Sequence, residues 1–284
     1  MTEPSIVADL HMHSQCSDGR QRPADVMHTM ANHGLRVVAL TDHDTLDGWS
    51  EAADAAKACG LTIITGIELS VTLGEAEVHL LGYGFDVHHP GIQAHVDAFR
   101  TARTERAEAM VDRLQAEGIS ISMDDVWAEA QGSRALGRPH VAAALRACGA
   151  VDTHQEAFDQ YLGDGHPAFV PKPPVPAADA ISMLHAANGI AVLAHPGQWT
   201  SAAQLRRLVE AGLDGVEVVH PSHPPYLQRY YEQQAENYGL LVTGGSDDHG
   251  RPADADRLGT IGLTMLQWER IRDAIAYEGK CRPE

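Results

Sequence analysis

The constraint that narrows this chain most is positional: its β-forming runs end, one after another, on residues that bind metals. Seven short apolar runs can be read along the sequence, at Ser5–Leu10, Arg36–Thr41, Leu61–Ile67, Glu77–Tyr83, Ile190–Ala194, Asp214–Val218 and Leu240–Thr243. The first leads into His11 and His13, with Asp18 in the loop beyond, and the second into Asp42, His43 and Asp44. The third leads into Glu68, the fourth contains His79, and the fifth ends at His195. The sixth runs into His220 and His223, and the seventh into Asp247, Asp248 and His249.

Amphipathic helical stretches fill the intervals, and this alternation predicts an α/β fold with mostly parallel strands. An open doubly wound sheet and a closed barrel both fit it. In either, the carboxyl ends of the strands share one face, where active sites assemble. About a hundred residues separate the fourth and fifth runs. They open with a long helical pattern over Ile92–Glu117 and close with the Pro-rich Pro167–Pro176. The expected organisation is one metal-binding domain from 1–97 and 171–284, with 98–170 as an inserted, mostly helical subdomain.

The 284 residues carry a net charge of −18, which argues against binding long duplex nucleic acid through a basic field. A phosphorylated substrate stays compatible, because bound divalent ions dominate the local field. The four cysteines form no C-x-x-C pair, so a zinc ribbon or dithiol redox centre is not expected. No stretch approaches ~18 uninterrupted apolar residues, and the start of the chain lacks a signal-peptide pattern. A cytoplasmic protein without a membrane segment is expected.

A lone histidine at a strand end is commonly a hydrogen-bonded structural residue, and an aspartate there is commonly a helix N-cap. Seven coincidences make a collective metal site the better explanation. Imidazole and carboxylate donors suit Mn²⁺, Zn²⁺ or Fe²⁺, and Mg²⁺ to a lesser degree. His11 and His13 stand two residues apart, so an extended strand points both to one face. Gly19, Gly66, Gly244 and Gly245 permit close backbone approach there. His28, His33, His88, His89, His95, His154 and His185 fall in helices or turns and read as structural.

Six motifs carry a resemblance: DLHMHSQCSDG (Asp9–Gly19), LTDHD (Leu40–Asp44), GIELS (Gly66–Ser70), EVHLLGY (Glu77–Tyr83), AHPG (Ala194–Gly197) and GSDDHG (Gly245–Gly250). In this order they resemble the polymerase and histidinol phosphatase (PHP) family of metal-dependent phosphoesterases. The resemblance implies a distorted seven-stranded β/α barrel with two or three divalent ions, Mn²⁺ foremost. One ion would take His11, His13, Glu68 and Asp247; a second would share Glu68 and take His79 and His195; a third would take Asp18, His43 and His249. GRPHVAAAL (Gly137–Leu145) and YLGDGHPAFV (Tyr161–Val170) look similar to the group that removes the 3′-phosphate from nucleoside 3′,5′-bisphosphates, with relatives that trim short 5′-phosphorylated RNA. The resemblance then makes Arg138, with Arg134 and Lys172 beside it, the expected 5′-phosphate contact, since guanidinium forks match phosphate oxygens.

The expected chemistry is attack on phosphorus by hydroxide held between two ions, with His223 or a metal-bound water as the candidate proton donor to the leaving alcohol. Four rivals share parts of this pattern. They are a small-metabolite phosphatase of the histidinol-phosphate type, a cyclic-nucleotide or oligonucleotide phosphodiesterase, a metal-stabilised accessory module, and an amidohydrolase. The last commonly uses a bridging lysine, and no lysine ends a strand here.

Overall fold

The computed structural model describes residues 5–130 and 136–278. By contacts the chain divides into two compact units, Met1–Ala94 with Pro174–Glu284, and His95–Pro173.

The first unit contains nine strands in two sheets. In the first sheet β1 (Ile6–Asp9) and β2 (Val37–Ala39) pair in parallel, β3 (Thr62–Ile64) continues beyond β2, and β9 (Leu263–Thr264) runs antiparallel along β1. The second sheet takes β4 (Gly66–Leu73), β5 (Ala76–Tyr83), β6 (Ile190–Leu193), β7 (Gly215–Val219) and β8 (Leu241–Gly244) in that order. The α/β class is as expected, but the strand count and directions differ. The third run breaks after Ile64, so its second half pairs with β5 rather than with β2, and the two-residue β9 carries too little pattern to be read.

Strand β5 is antiparallel to both neighbours and β9 to β1, so three of the seven ladders among the described residues are antiparallel. This reversal has a consequence for the site. The middle of β5, not its end, lies beside the carboxyl end of β6 (Leu80↔Leu193) and the Glu68-bearing stretch of β4 (His79↔Ser70), which is why His79 lies inside its run while the other site residues follow theirs. At that face the sheets meet through backbone bonds. Leu10 donates to the Gly244 carbonyl (3.3 Å) and His13 to that of Asp248 (2.8 Å), while Glu68 donates to Asp42 (3.3 Å) and Asp44 to Glu68 (2.9 Å).

Helices α1 (Pro23–Asn32) and α2 (Trp49–Ala58) follow β1 and β2. Period-two alternation in β2 sends Val37 and Ala39 into one core, with Leu81, Tyr83 and Val192, and Val38 into another, with Met27, Met30 and Ala56. Tyr83 is fully buried and donates its hydroxyl to the Leu10 carbonyl (2.7 Å), satisfying both groups where β1 leaves its sheet.

Helix α3 (Pro90–Ala116) contains the boundary between the units. The second unit continues through α4 (Met123–Glu129), α5 (Arg138–Ala147) and α6 (His154–Ala157) and has its own core around Met110, Leu114, Val126, Val141, Leu145 and Leu162. Ser122 and Asp125 form a reciprocal capping box at the start of α4. Back in the first unit, α7 (Ala177–Ala186), which the sequence reading does not place, precedes β6. It is followed by α8 (Ala202–Glu210), α9 (Pro225–Tyr238) and α10 (Met265–Glu278). Among the described residues no helix is long and apolar enough to cross a membrane.

Candidate metal centre

The face where the strands end is built around the carboxylate of Glu68, which is fully buried on β4. Its Oε1 lies 2.8 Å from His79 Nδ1 and 2.8 Å from His195 Nε2. Its Oε2 lies 3.1 Å from His11 Nε2, 3.2 Å from His13 Nε2 and 3.3 Å from His43 Nδ1. Five histidines from four chain-distant segments therefore surround one side chain.

Asp247 closes the group from the β8 side, with Oδ1 3.4 Å from His11 Nε2 and 3.2 Å from His13 Nε2. A third carboxylate, Asp18, lies 3.2 Å from His249 Nε2, 3.8 Å from His13 Nδ1 and 4.0 Å from His43 Nε2. All nine residues that the resemblance assigns to metal are thus brought together. They fall into overlapping groups able to hold a metal: His13, Asp18, His43 and His249; His11, His13 and Asp247; His11, Glu68 and His195; His43, Glu68 and His79.

Two features show that the donors fit cations rather than one another. Both ring nitrogens of His13 and Nδ1 of His43 are buried without a hydrogen-bond partner. An orphaned imidazole nitrogen inside a protein is costly, and a metal ion satisfies it. Secondly, two ligand atoms each about 2.1 Å from one ion lie about 3.0–3.5 Å apart at tetrahedral or octahedral angles. The His13 and Asp247 separations fall in that interval.

The flanking residues hold these donors in place. Asp42 accepts from the Ser14 amide (2.7 Å), the Ser14 hydroxyl (2.7 Å) and the Ser17 hydroxyl (2.6 Å), fixing the loop that carries Asp18. Asp44 accepts from the amide and hydroxyl of Ser70 (both 2.8 Å), locking β4 beside His43. Asp9 accepts from the amides of His11 (3.2 Å) and Ser246 (3.0 Å), and its burial pushes its carboxyl up to about 7. A Cβ on Gly245 would come within 2.5 Å of the His11 backbone nitrogen, so only glycine allows β8 to approach β1 this closely. His195 (φ 25°) and Asp247 (φ 52°) hold left-handed backbone that disfavours non-glycine residues, a strain sustained by the surrounding bonds.

Sequence reasoning misses Glu217. This fully buried β7 carboxylate binds His11 Nδ1 (2.9 Å) and accepts from the His195 amide (2.7 Å). It orients one ring and one backbone turn at once, leaving His11 Nε2 aimed at Glu68 and Asp247. The available signal was a glutamate inside the otherwise apolar GVEVV, since such a charge is rarely buried unpaired. His220, named in the strand-end pattern but absent from the nine, also joins, with Nε2 3.4 Å from Asp247 Oδ2.

His223 departs from its expected part. Its Nδ1 donates to the Val218 carbonyl (2.9 Å) and its Nε2 accepts from the Gly197 amide (3.1 Å). Burial pushes its basicity down. With both nitrogens engaged by backbone, the ring anchors the turn after β6 and has no free proton to give a leaving group. Arg138 and Lys172 lie in the second unit, both half-buried, and Arg134 lies outside the described residues. The Arg138 guanidinium is 3.2 Å from Asp164 Oδ1 and sits over the rings of Phe158 (5.8 Å) and Phe169 (5.7 Å). Both are favourable settings for a planar cation.

A PHP domain model matches residues 9–118. The chain is 35% identical over 254 residues to a 3′,5′-nucleoside bisphosphate phosphatase of Chromobacterium violaceum, covering 88% of this chain and 89% of that protein. It is 35% identical over 246 residues to a 5′-3′ exoribonuclease of Haemophilus influenzae, covering 85% and 89%. A crystal structure from Bifidobacterium adolescentis, assigned as a metal-dependent phosphoesterase, superposes with a TM-score of 0.83 at 34% identity, covering 96% and 98%.

Burial opposes charge on His13, yet Asp247 and Glu68 raise it to about 10 in the metal-free protein. At pH 7.5 it is therefore protonated, and a cation must displace that proton to use the ring. Calorimetry in buffers of different ionisation enthalpy is expected to show at least one proton released per protein on metal binding, with affinity rising as pH rises. Glu217→Gln is expected to weaken metal binding about 10- to 100-fold, since it loses the charge that orients His11. Metal retained after dialysis against a chelator measures this.

Proposed function

Because the chain belongs to the PHP-domain family of metal-dependent phosphoesterases, we propose that it removes the 3′-phosphate of nucleoside 3′,5′-bisphosphates, such as adenosine 3′,5′-bisphosphate, giving 5′-AMP and phosphate. Trimming of short 5′-phosphorylated RNA is a second activity of the same centre. The observation that carries the reading is the Glu68 cluster, in a chain whose relatives matched over most of their length include a bisphosphate phosphatase and exoribonucleases, beside a cyclic-phosphate diphosphodiesterase that keeps the diesterase alternative in the test. We read the two sheets as one distorted barrel, supported by the backbone bonds that join β1 to β8 and β2 to β4.

His11, His13, Glu68 and Asp247 would hold one ion, Glu68 with His79 and His195 a second, and Asp18, His43 and His249 a third. Imidazole and oxygen donors without thiolate favour Mn²⁺, with Zn²⁺, Fe²⁺ and Mg²⁺ as competitors. The ions supply Lewis-acid polarisation of the phosphoryl group and a hydroxide nucleophile near neutral pH. The chain's own part is positioning. Glu68 presents its two oxygens to separate groups of histidines, Glu217 fixes His11, and Asp42 fixes the loop of Asp18.

Arg138 is the proposed contact to the 5′-phosphate. Phe158, Phe169 and Asp164 restrict its guanidinium, so little freedom is lost when a phosphate binds.

The test is phosphate release from adenosine 3′,5′-bisphosphate by manganese-loaded protein, with product identification and short 5′-phosphorylated RNA in parallel. Conversion to 5′-AMP is expected, lost on chelation. Arg138→Ala is expected to raise KM for the bisphosphate about tenfold or more while raising KM for a generic phosphomonoester far less. Equal losses on both would remove Arg138 from the site. Activity confined to cyclic phosphates or to sugar and amino-alcohol phosphates would replace the nucleotide reading.

A further inference from the structure

The turn after β6 carries an indole that nothing in the metal centre requires. Trp199 is 90% exposed, the most exposed large apolar side chain among the described residues. An indole left in water forgoes a large burial gain. This one lies beside the metal centre, lining a cavity of about 460 Å³ together with His195, His220, Asp247, Gly197 and Ser222. It also borders a smaller cavity of about 190 Å³ that reaches His79 and His195.

The backbone under Trp199 is fixed. Gly197 donates its amide to His223 Nε2 (3.1 Å) and accepts at its carbonyl from the buried Tyr231 hydroxyl (2.8 Å). Gln198 donates its side-chain amide to the Tyr226 hydroxyl. Ser201 and Gln204 close the turn with a capping box at the start of α8. Every neighbour of Trp199 in the turn is tied down while its ring faces solvent. The backbone that presents the ring is thereby preorganised, so less freedom is lost when a planar group stacks on it.

The geometry points to Trp199 as a stacking platform for the nucleobase of a nucleotide bound at the metal centre. The assignment rests on the nucleotide reading above and gives it a specificity element. Stacking is tolerant of base identity, so the platform selects nucleotides over base-free sugar phosphates and not one base over another. It also assigns His223 and Tyr231 a role, as positioning residues for the platform.

The experiment is calorimetric titration of metal-loaded protein with 5′-AMP and with ribose 5-phosphate, for the wild type, Trp199→Ala and Trp199→Tyr. Since Trp199 is a surface residue, the variants are expected to fold, and thermal unfolding checks this. The wild type is expected to prefer 5′-AMP. Trp199→Ala is expected to cut the ratio of the two affinities about tenfold, within the range that loss of one stacked base produces, and Trp199→Tyr to restore most of it. The same ratio in all three proteins, proportionate weakening of both ligands by Trp199→Ala, or no binding of 5′-AMP by the wild type would overturn the proposal. Failure to release phosphate from adenosine 3′,5′-bisphosphate, with the ratio still dependent on Trp199, would remove the phosphatase reading and leave the platform standing. Phosphate release with an unmoved ratio would remove the platform alone.

Discussion

One buried carboxylate organises this protein. Withdrawing Glu68 from water costs several kcal/mol unless positive charge compensates it, and five histidines converge on its two oxygens. Burial alone would raise its pKa, yet the surrounding imidazoles hold it well below the usual carboxylate range. Those imidazoles come from the ends of β1, β2 and β6 and from the reversed β5, so the charge balance of a single residue ties both sheets to one face. Without cations, protons on the histidines supply the compensation. Divalent ions would take over that task and satisfy the ring nitrogens of His13 and His43 that make no hydrogen bond.

The cost of such a face is distributed through its supports. His195 and Asp247 hold unfavourable backbone angles, and Gly245 permits a contact that any side chain would block. Asp9, Asp42, Asp44 and Glu217 spend their oxygens on amides, hydroxyls and rings of the loops that bear the donors. The acidic residues of the strand-end motifs thus divide into two kinds. Glu68, Asp18 and Asp247 face the cluster, while Asp9, Asp42 and Asp44 brace it.

Much of this was legible in the sequence, for a physical reason. Strand ends recur at readable intervals and parallel neighbours bring their carboxyl ends to one face; those two rules gave the pool of candidates, and the motif resemblance narrowed it to nine. What escaped depends on pairing. The reversal of β5, the break between β3 and β4 and the brief β9 are decided by register across the sheet, which local periodicity does not carry. Glu217 escaped because its strand reads as apolar core. His223 was legible as a histidine near the site, but its two backbone hydrogen bonds, which give it an anchoring part, exist only after folding. The spacing that named Asp42 and Asp44 could not separate bracing from facing residues, because both kinds sit within one or two positions of each other.

The most direct measurement of the central claim is anomalous diffraction at the manganese edge from crystals of the manganese-loaded protein. The account predicts separate peaks on the two sides of the Glu68 carboxylate, one among His11, His13 and Asp247 and another between His79 and His195. Crystals that bind manganese elsewhere, with Glu68 still hydrogen-bonded to protonated histidines, would contradict it.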